Sequence, residues 1–144
     1  MNEGNPTRLH ILLAEDDSDD QMLLAEGFEG AGLDVDWRIV ENGEAALDFL
    51  AAHAGKRDSL DILVLDLNMP RVDGLQVLET IHADAIWQTL PVVVLSTSSR
   101  REEAERSKAL GALDVLSKPV TIEEYKALAL KILELYKSAI EAMP

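Results

Sequence analysis

Short and almost uninterrupted apolar runs constrain the fold of this chain more than any other feature. Five runs with strand character recur along its 144 residues: Leu9–Ala14, Val35–Val40, Ile62–Leu65, Val92–Leu95 and Leu113–Leu116. Four of them are nearly continuous, as in strands that are buried on both faces of a parallel sheet. Val35–Val40 alternates between apolar and polar residues, which indicates a strand at the edge of that sheet.

Helical patterns separate the apolar runs. They span Ser18–Ala31, Gly43–Ala52, Gly74–His82, Arg101–Leu110 and Thr121–Ala142, whereas His53–Leu60 has the composition of a polar loop. Capping boxes are predicted at Ser18–Gln21 and Thr121–Glu124, and Met22, Ala25 and Phe28 are predicted on the buried face of the first helix. Because strand and helix alternate five times, right-handed βαβ units and a three-layer α/β sandwich follow.

The composition of the chain argues against several kinds of protein and site. The chain has no cysteine and carries a net charge of −14 from 27 acidic and 13 basic residues. Disulfides and thiolate metal sites are therefore excluded, and direct binding to the phosphate backbone of a nucleic acid is not expected. No apolar run is long enough to span a bilayer. We expect a cytoplasmic protein with one domain over residues 8–144 and a flexible N-terminus over residues 1–7.

Polar residues follow four of the five predicted strands. They are Glu15, Asp16 and Asp17 after the first strand, Asp66 after the third, Ser96 and Thr97 after the fourth, and Lys118 after the fifth. In a doubly wound sheet the functional crevice lies beyond the carboxyl ends of the strands. Carboxylates gathered there repel one another unless a cation lies among them, and a hard divalent ion suits oxygen ligands. The pattern therefore predicts a Mg²⁺ site.

Such a crevice suits phosphoryl transfer to a carboxylate. Asp66 would be the nucleophile, while Lys118 and the Ser96 hydroxyl would contact the transferred oxygens. Each feature also has a simpler interpretation: charge at a helix N-terminus for the acidic run, a turn residue for Asp66, and a helix cap for Ser96. The convergence of four strand ends on one edge favours the functional interpretation.

Four blocks of this sequence resemble the signature of bacterial response-regulator receiver domains. The blocks are residues 11–17, 65–74, 91–97 and 111–119, and the resemblance runs from about His10 to Tyr136. It implies a flavodoxin-like, five-stranded parallel sheet with strand order 2-1-3-4-5. It also implies a stand-alone response regulator of a two-component phosphorelay, which accepts a phosphoryl group on Asp66 from a sensor histidine kinase. Such a protein is a phosphoacceptor with self-phosphorylation and slow self-dephosphorylation, and not an enzyme acting on other substrates.

The resemblance also implies a role for each site residue. The implied metal ligands are Glu15, Asp16, Asp66 and Asn68, the last through its backbone carbonyl, and the implied catalytic residues are Asp66, Lys118 and Ser96. The Lys118–Pro119 peptide would be cis. Val115 stands where the family often has Tyr or Phe, so the swing of an aromatic ring cannot be the readout of phosphorylation in this chain.

Two stretches, residues 65–75 and residues 91–99, most resemble the single-domain regulators of bacterial phytochromes and related sensor kinases. Output would then pass through protein contacts. A flavin carrier is disfavoured by the acidic residues after the first strand. An aspartate-nucleophile phosphatase is disfavoured because Asn68 stands where a proton-exchanging Asp is usual. A receiver-like interaction module without phosphorylation remains the alternative.

The C-terminal helix has a wide apolar stripe. It comprises Ile122, Tyr125, Leu128, Ala129, Ile132, Leu133, Leu135, Tyr136, Ala139 and Ile140. The stripe is about 160° wide, whereas packing on one sheet needs about 100°. Tyr136 and Ile140 are predicted to have no intramolecular partner, so we expect a homodimer built on this helix. The alternative is an ordinary exposed apolar fringe.

Overall fold

Five parallel strands form the central sheet of the computed structural model, which describes residues 8–69, 72–97 and 100–143. They are β1 (Leu9–Ala14), β2 (Val35–Val40), β3 (Ile62–Asp66), β4 (Val92–Ser96) and β5 (Asp114–Ser117). The sheet order is β2-β1-β3-β4-β5. This confirms the expected flavodoxin-like topology and places β2 at an edge. The N-terminus that was expected to be flexible, residues 1–7, lies outside the described residues.

The helices follow the predicted spans to within about two residues. They are α1 (Ser18–Gly30), α2 (Gly43–Ala52), α3 (Gly74–His82), α4 (Arg101–Ala109) and α5 (Ile122–Glu141). The predicted loop after α2 contains a short 3₁₀ segment, Ala54–Ser59. Within the described ranges, no helix combines the length and the apolar character that crossing a membrane requires.

The sheet separates two hydrophobic cores. One core joins α2 and α3 to the sheet, through residues such as Leu50, Leu65 and Ile81. The other joins α1 and α5 to the opposite face, through residues such as Phe28 and Ile132. Because every residue of β3 is buried, its continuous apolar sequence is explained by packing on both faces.

The helix starts agree with prediction in one case and differ in another. Thr121 and Glu124 form the predicted capping box of α5. At α1 the cap is Asp17 and not Ser18, because the Asp17 side chain accepts hydrogen bonds from two amides of the first turn at 2.8 and 3.1 Å. The predicted partner of Ser18, Gln21, instead donates its side-chain amide to the Glu15 carbonyl at 2.7 Å.

The buried face of α1 was predicted incorrectly in part. Met22 is 54% exposed, whereas Leu24, Gly27 and Phe28 are buried. The reason is the close approach of α5: a Cβ atom at position 27 would lie 2.5 Å from the carbonyl oxygen of Tyr125. Gly27 therefore lies on the side of α1 that packs against α5, and Met22 lies on the side that faces solvent.

The far end of α5 reaches the amino edge of the sheet. Tyr136 is half-buried there, and its hydroxyl donates to Oδ1 of Asp61 at 3.4 Å. The prediction that Tyr136 has no intramolecular partner is therefore wrong, because α5 is long enough to contact the residue that precedes β3. Ile140, one turn further, is 44% exposed.

Candidate functional site

Parallel strands and the start of the loops after them bring the predicted residues to one edge of the sheet. Glu15 directly follows β1, Asp66 ends β3, Ser96 ends β4 and Lys118 directly follows β5. Backbone hydrogen bonds extend the sheet into these loops, from Lys118 N to the Ser96 carbonyl at 3.1 Å and from Glu15 N to the Val40 carbonyl at 3.0 Å. The side chains are thus held by the sheet itself.

Asp66 lies at the centre of the cluster. Its carboxylate is buried, with the residue only 2% exposed. Oδ1 accepts a hydrogen bond from the backbone amide of Asn68 at 3.0 Å, and Oδ2 accepts one from Nζ of Lys118 at 3.1 Å. Each oxygen of the carboxylate is therefore held by one donor.

The Lys118 ammonium is shared by three carboxylates. Nζ lies 2.8 Å from Oε1 of Glu15, 3.0 Å from Oδ2 of Asp20 and 3.1 Å from Oδ2 of Asp66. Burial alone would lower the pKa of Lys118, but the hydrogen bonds to Glu15 and Asp20 and the charge of Asp66 together outweigh it and raise that pKa. Lys118 is therefore a permanent cation at physiological pH.

The pKa of Glu15 is raised in this site. Burial raises its pKa from 4.5 to about 7, against the lowering effect of its contacts with Lys118 and the Asp17 amide, and the Asp66 charge adds to the rise. One ammonium cannot neutralise the surrounding carboxylates, so Glu15 retains a proton more readily than an exposed glutamate does.

An oxygen cluster suited to a metal ion lies in the same crevice. Carboxylate oxygens of Glu15, Asp16 and Asp66 all lie within 4.8 Å of one another. Among the described residues this is the one group of three or more acidic or histidine side chains that could hold an ion. An all-oxygen set fits a hard divalent cation, and exposed Asp16 offers an entry side. The residues present therefore fit the predicted metal.

Asn68 and Ser96 lie beside this cluster. The side-chain amide of Asn68 donates to Oγ1 of Thr97 at 3.2 Å, which ties the loop after β3 to the loop after β4. Ser96 is almost fully buried. Half-buried Val115, where an aromatic residue is common in the resembled family, lines a cavity of about 170 Å³ together with Ser96.

One expected feature of this edge is absent. The Lys118–Pro119 peptide is trans, so the cis bond implied by the resemblance is wrong for this structure. Peptides before proline favour the trans form by about 0.5–1 kcal/mol unless their surroundings reverse it. The Lys118 ammonium contacts Asp66 with the trans bond in place.

Sequence reasoning missed Asp20 as a site residue. Asp20 lies in the first turn of α1 and contacts Lys118. The available signal was its place in the acidic run that follows β1, at the N-terminus of α1. The signal was weak, since Asp17 and Asp19 lie in the same acidic run.

Most of the chain matches one known protein family. Residues 11–129 match the family described as the response regulator receiver domain. The chain belongs to this family. Receiver domains are phosphoacceptor signalling modules that work with sensor histidine kinases, and the predicted family membership is confirmed.

Individual relatives support the same assignment. The chain is 38% identical over 119 residues to the probable methanogenesis regulatory protein FilR2 of Methanothrix harundinacea, a match covering 81% of this chain and 76% of FilR2. It is 32% identical over 124 residues to the response regulator Rcp1 of Synechocystis, covering 85% of this chain and 84% of Rcp1.

Solved structures agree in fold and include phytochrome regulators. The phosphorylated cyanobacterial phytochrome response regulator RcpA superposes with a TM-score of 0.80 at 28% identity, covering 92% of this chain and 96% of RcpA. The Mn²⁺-bound form of Rcp1 superposes with a TM-score of 0.77, also at 28% identity, covering 94% of this chain and 97% of that one. The chain is thus similar to one regulator that binds a divalent ion and to another that carries phosphate.

Proposed function

We propose that residues 8–144 form a stand-alone receiver domain of a two-component system, in which Asp66 accepts a phosphoryl group from a sensor histidine kinase. The supporting observation is the setting of the Asp66 carboxylate. It is buried, it is held by the Asn68 amide and the Lys118 ammonium, and it lies within 4.8 Å of oxygens from Glu15 and Asp16. This is the environment that an acyl-phosphate site requires.

In the proposed reaction an Asp66 oxygen attacks the phosphorus of a phosphohistidine on the kinase. The new O–P bond forms as the N–P bond breaks, and the imidazole departs with its electron pair and takes a proton. Mg²⁺ held by Glu15, Asp16, Asp66 and the Asn68 carbonyl would neutralise negative charge on the reacting oxygens.

Lys118 and Ser96 would act on the transferred group. Lys118, already 3.1 Å from Asp66, would pair with a phosphoryl oxygen while Glu15 and Asp20 continue to orient its ammonium. The Ser96 hydroxyl at the end of β4 would donate to another oxygen. Because Val115 replaces the usual aromatic residue, the response would pass from Ser96 to the α4 backbone without a ring movement.

The same site would use small phosphodonors. Self-phosphorylation needs only a donor with a good leaving group, and water can later hydrolyse the acyl phosphate slowly. We place this chemistry in the cytoplasm, because a chain without cysteine suits a reducing compartment.

The test is incubation with acetyl phosphate, with and without Mg²⁺, followed by intact mass spectrometry. We expect an adduct of roughly 80 Da that requires Mg²⁺ and is absent from Asp66→Asn. Asp58→Asn, an exposed acidic residue after α2, is the matched control and should be labelled like the wild type. Undiminished labelling of Asp66→Asn would refute the assignment, and no labelling of the wild type would favour a receiver-like interaction module.

The proposed donor is a sensor histidine kinase of the bacterial phytochrome type, as suggested by the similarity to Rcp1 and RcpA. Exposed apolar residues flank the crevice and offer a docking surface. Val120, two residues after Lys118, is 90% exposed, and Met22, two residues after Asp20, is also exposed. The net charge of −14 disfavours direct nucleic-acid contact, so output would pass through proteins.

We also propose a homodimer formed through α5. Ile122 and Ile140 are both exposed, and 18 residues at about 100° per residue place them on the same side of the helix. A two-fold contact between two copies of α5 would cover both positions. Tyr136 already contacts Asp61 within the same chain and is not assigned to the proposed interface.

Replacing Ile122 and Ile140 together with lysine is expected to give monomers in sedimentation velocity, because four charges would then face one another across the two-fold axis. Leu130→Lys is the control, since Leu130 is exposed about 80° away around the helix and should leave the dimer intact. Labelling of Asp66 should be unchanged in both variants. A wild-type protein that sediments as a monomer with and without phosphorylation would contradict the proposal.

A further inference from the structure

A cavity of about 280 Å³ lies between α2 and α3, apart from the phosphoacceptor site. Its walls are mostly apolar and consist of Leu47, Leu50, Ala51, Ile81 and Trp87. Its polar lining residues are Asp48, Thr80 and Asp84. Small-molecule sites are typically concave and apolar, with a few polar groups that orient the ligand. The cavity has this composition, and its volume lies just below the usual range of about 300–1,000 Å³.

The Trp87 side of the cavity is held in place before any ligand arrives. Trp87 is almost fully buried, and its indole N–H donates to the Leu50 carbonyl at 2.9 Å. The Arg57 guanidinium lies 5.4 Å from the centre of the Trp87 ring. Since the hydrogen bond and the cation fix the indole, the apolar surface is preorganised and binding needs little rearrangement.

The polar part of the cavity is acidic. Oδ1 of Asp84 accepts hydrogen bonds from the amides of Ile86 at 2.7 Å and Trp87 at 3.0 Å, which fix the orientation of that carboxylate. Asp48 is exposed and comes from α2, on the other wall. In the described part of the chain, neither carboxylate forms an ion pair, and the cavity is lined by no basic residue.

We propose that this cavity binds a small organic cation, namely a protonated amine with an apolar body of about six carbon atoms. The apolar body would lie against Trp87, Ile81 and Leu50, and the ammonium would lie between the carboxylates of Asp48 and Asp84. Long amines divide in this way between apolar surface and charged groups. The net charge of −14 adds a field that attracts cations and repels carboxylates.

The experiment compares three probes of equal length: n-hexylamine, hexan-1-ol and hexanoate. Each is titrated into ¹⁵N-labelled protein while the indole N–H signal of Trp87 is followed, with Trp37→Phe used to assign it. For n-hexylamine we expect saturation with a Kd on the order of 1 mM. Hexan-1-ol should bind roughly fivefold more weakly because it lacks the charge, and hexanoate should cause no saturable shift.

Two variants test the role of charge. Asp48→Asn and the double variant Asp48→Asn with Asp84→Asn keep the size of the side chains, and the amide introduced by Asp84→Asn keeps an oxygen for the backbone N–H of Ile86. In the double variant the preference for n-hexylamine over hexan-1-ol should disappear while hexan-1-ol binding is unchanged, and Asp48→Asn alone should reduce that preference. Asp58→Asn, whose carboxylate does not line the cavity, is the control and should keep the full preference.

Several results would overturn the inference: equal shifts for the three probes, preferential binding of hexanoate, or no saturable shift with any probe. A preference for n-hexylamine that survives in Asp48→Asn and in the double variant would do the same. The inference does not depend on phosphorylation, because the cavity shares no residue with the acidic crevice. Asp66→Asn should therefore bind n-hexylamine as the wild type does, and failure of one proposal leaves the other standing.

Discussion

Lys118→Met is expected to destabilise the metal-free protein by about 3–5 kcal/mol at pH 8, the cost of leaving buried charges without their partner. Glu15 and Asp66 are both almost fully buried, and Lys118 is the cation that contacts each of them. Methionine keeps much of the volume of the lysine stem, so the loss reports the missing charge. Urea unfolding followed by circular dichroism measures it.

The loss of folding stability in Lys118→Met should be larger at high pH than at low pH. A folded-state pKa of about 7 for Glu15, above its ordinary value of 4.5, means that the stability from this group is present below pH 4.5 and is lost as pH rises through 7. Without Lys118 the pKa of Glu15 rises further, because its main cationic partner is gone. The difference between wild type and variant should therefore be smaller at about pH 5.5, where the carboxyl group can take a proton, than at about pH 8.

Addition of Mg²⁺ should restore part of the stability of the variant at pH 8, since a divalent ion can replace the missing positive charge. Lys131→Met is the matched control. Lys131 pairs with Glu134 on the exposed side of α5, and its loss should cost less than about 1 kcal/mol. Equal stability of Lys118→Met and wild type at both pH values would show that the crowded carboxylates do not depend on Lys118.

Gly74→Ala is expected to cost about 2–3 kcal/mol and to slow labelling of Asp66. A Cβ at position 74 would lie 2.7 Å from Cα of Leu67 and 3.1 Å from the carbonyl oxygen of Asp66. The contact is with backbone, so relief requires movement of the segment that carries Asp66. The backbone hydrogen bond from Gly74 N to the Leu67 carbonyl, at 3.3 Å, would be strained as well.

Gly55→Ala provides the comparison, because a Cβ at position 55 would meet nothing within 4 Å. It should change the unfolding free energy by less than about 0.5 kcal/mol and leave the labelling rate unchanged. Thermal unfolding and a time course of acetyl phosphate labelling measure both effects. If Gly74→Ala matched Gly55→Ala in stability and rate, the close packing of α3 on the Asp66 segment would not matter for function.

The architecture could be predicted because its signals are local. Strands buried on both faces must be apolar throughout, and an edge strand need not be, so β3 and β2 differ visibly in sequence. The strand order itself came from the resemblance to receiver domains, since periodicity gives the elements and not their neighbours. Asp66, Glu15 and Lys118 could be nominated because parallel strands end at a common edge.

Other features depend on the rotation of one helix against its neighbours. The burial of Leu24 and the exposure of Met22 follow from the close approach of α1 and α5 at Gly27, two elements far apart in sequence. Asp20, in the first turn of α1, contacts Lys118 directly after β5, although 98 residues separate the two in sequence. Periodicity predicts an apolar face, but it does not say which polar residue beside that face meets a partner.

The sequence alone therefore determined the α/β class, the edge of the sheet where chemistry can occur and the residue types available there. These features follow from the spacing of apolar residues and the positions where strands end, which are properties of neighbouring residues in the chain. Only the tertiary structure decided that Lys118 is shared by Glu15, Asp20 and Asp66. It likewise decided that Tyr136 contacts Asp61, and that α2, α3 and the segment after α3 line a mostly apolar cavity with two carboxylates. Such contacts join residues from separate elements, and their distances are set by packing of the whole domain and not by local sequence.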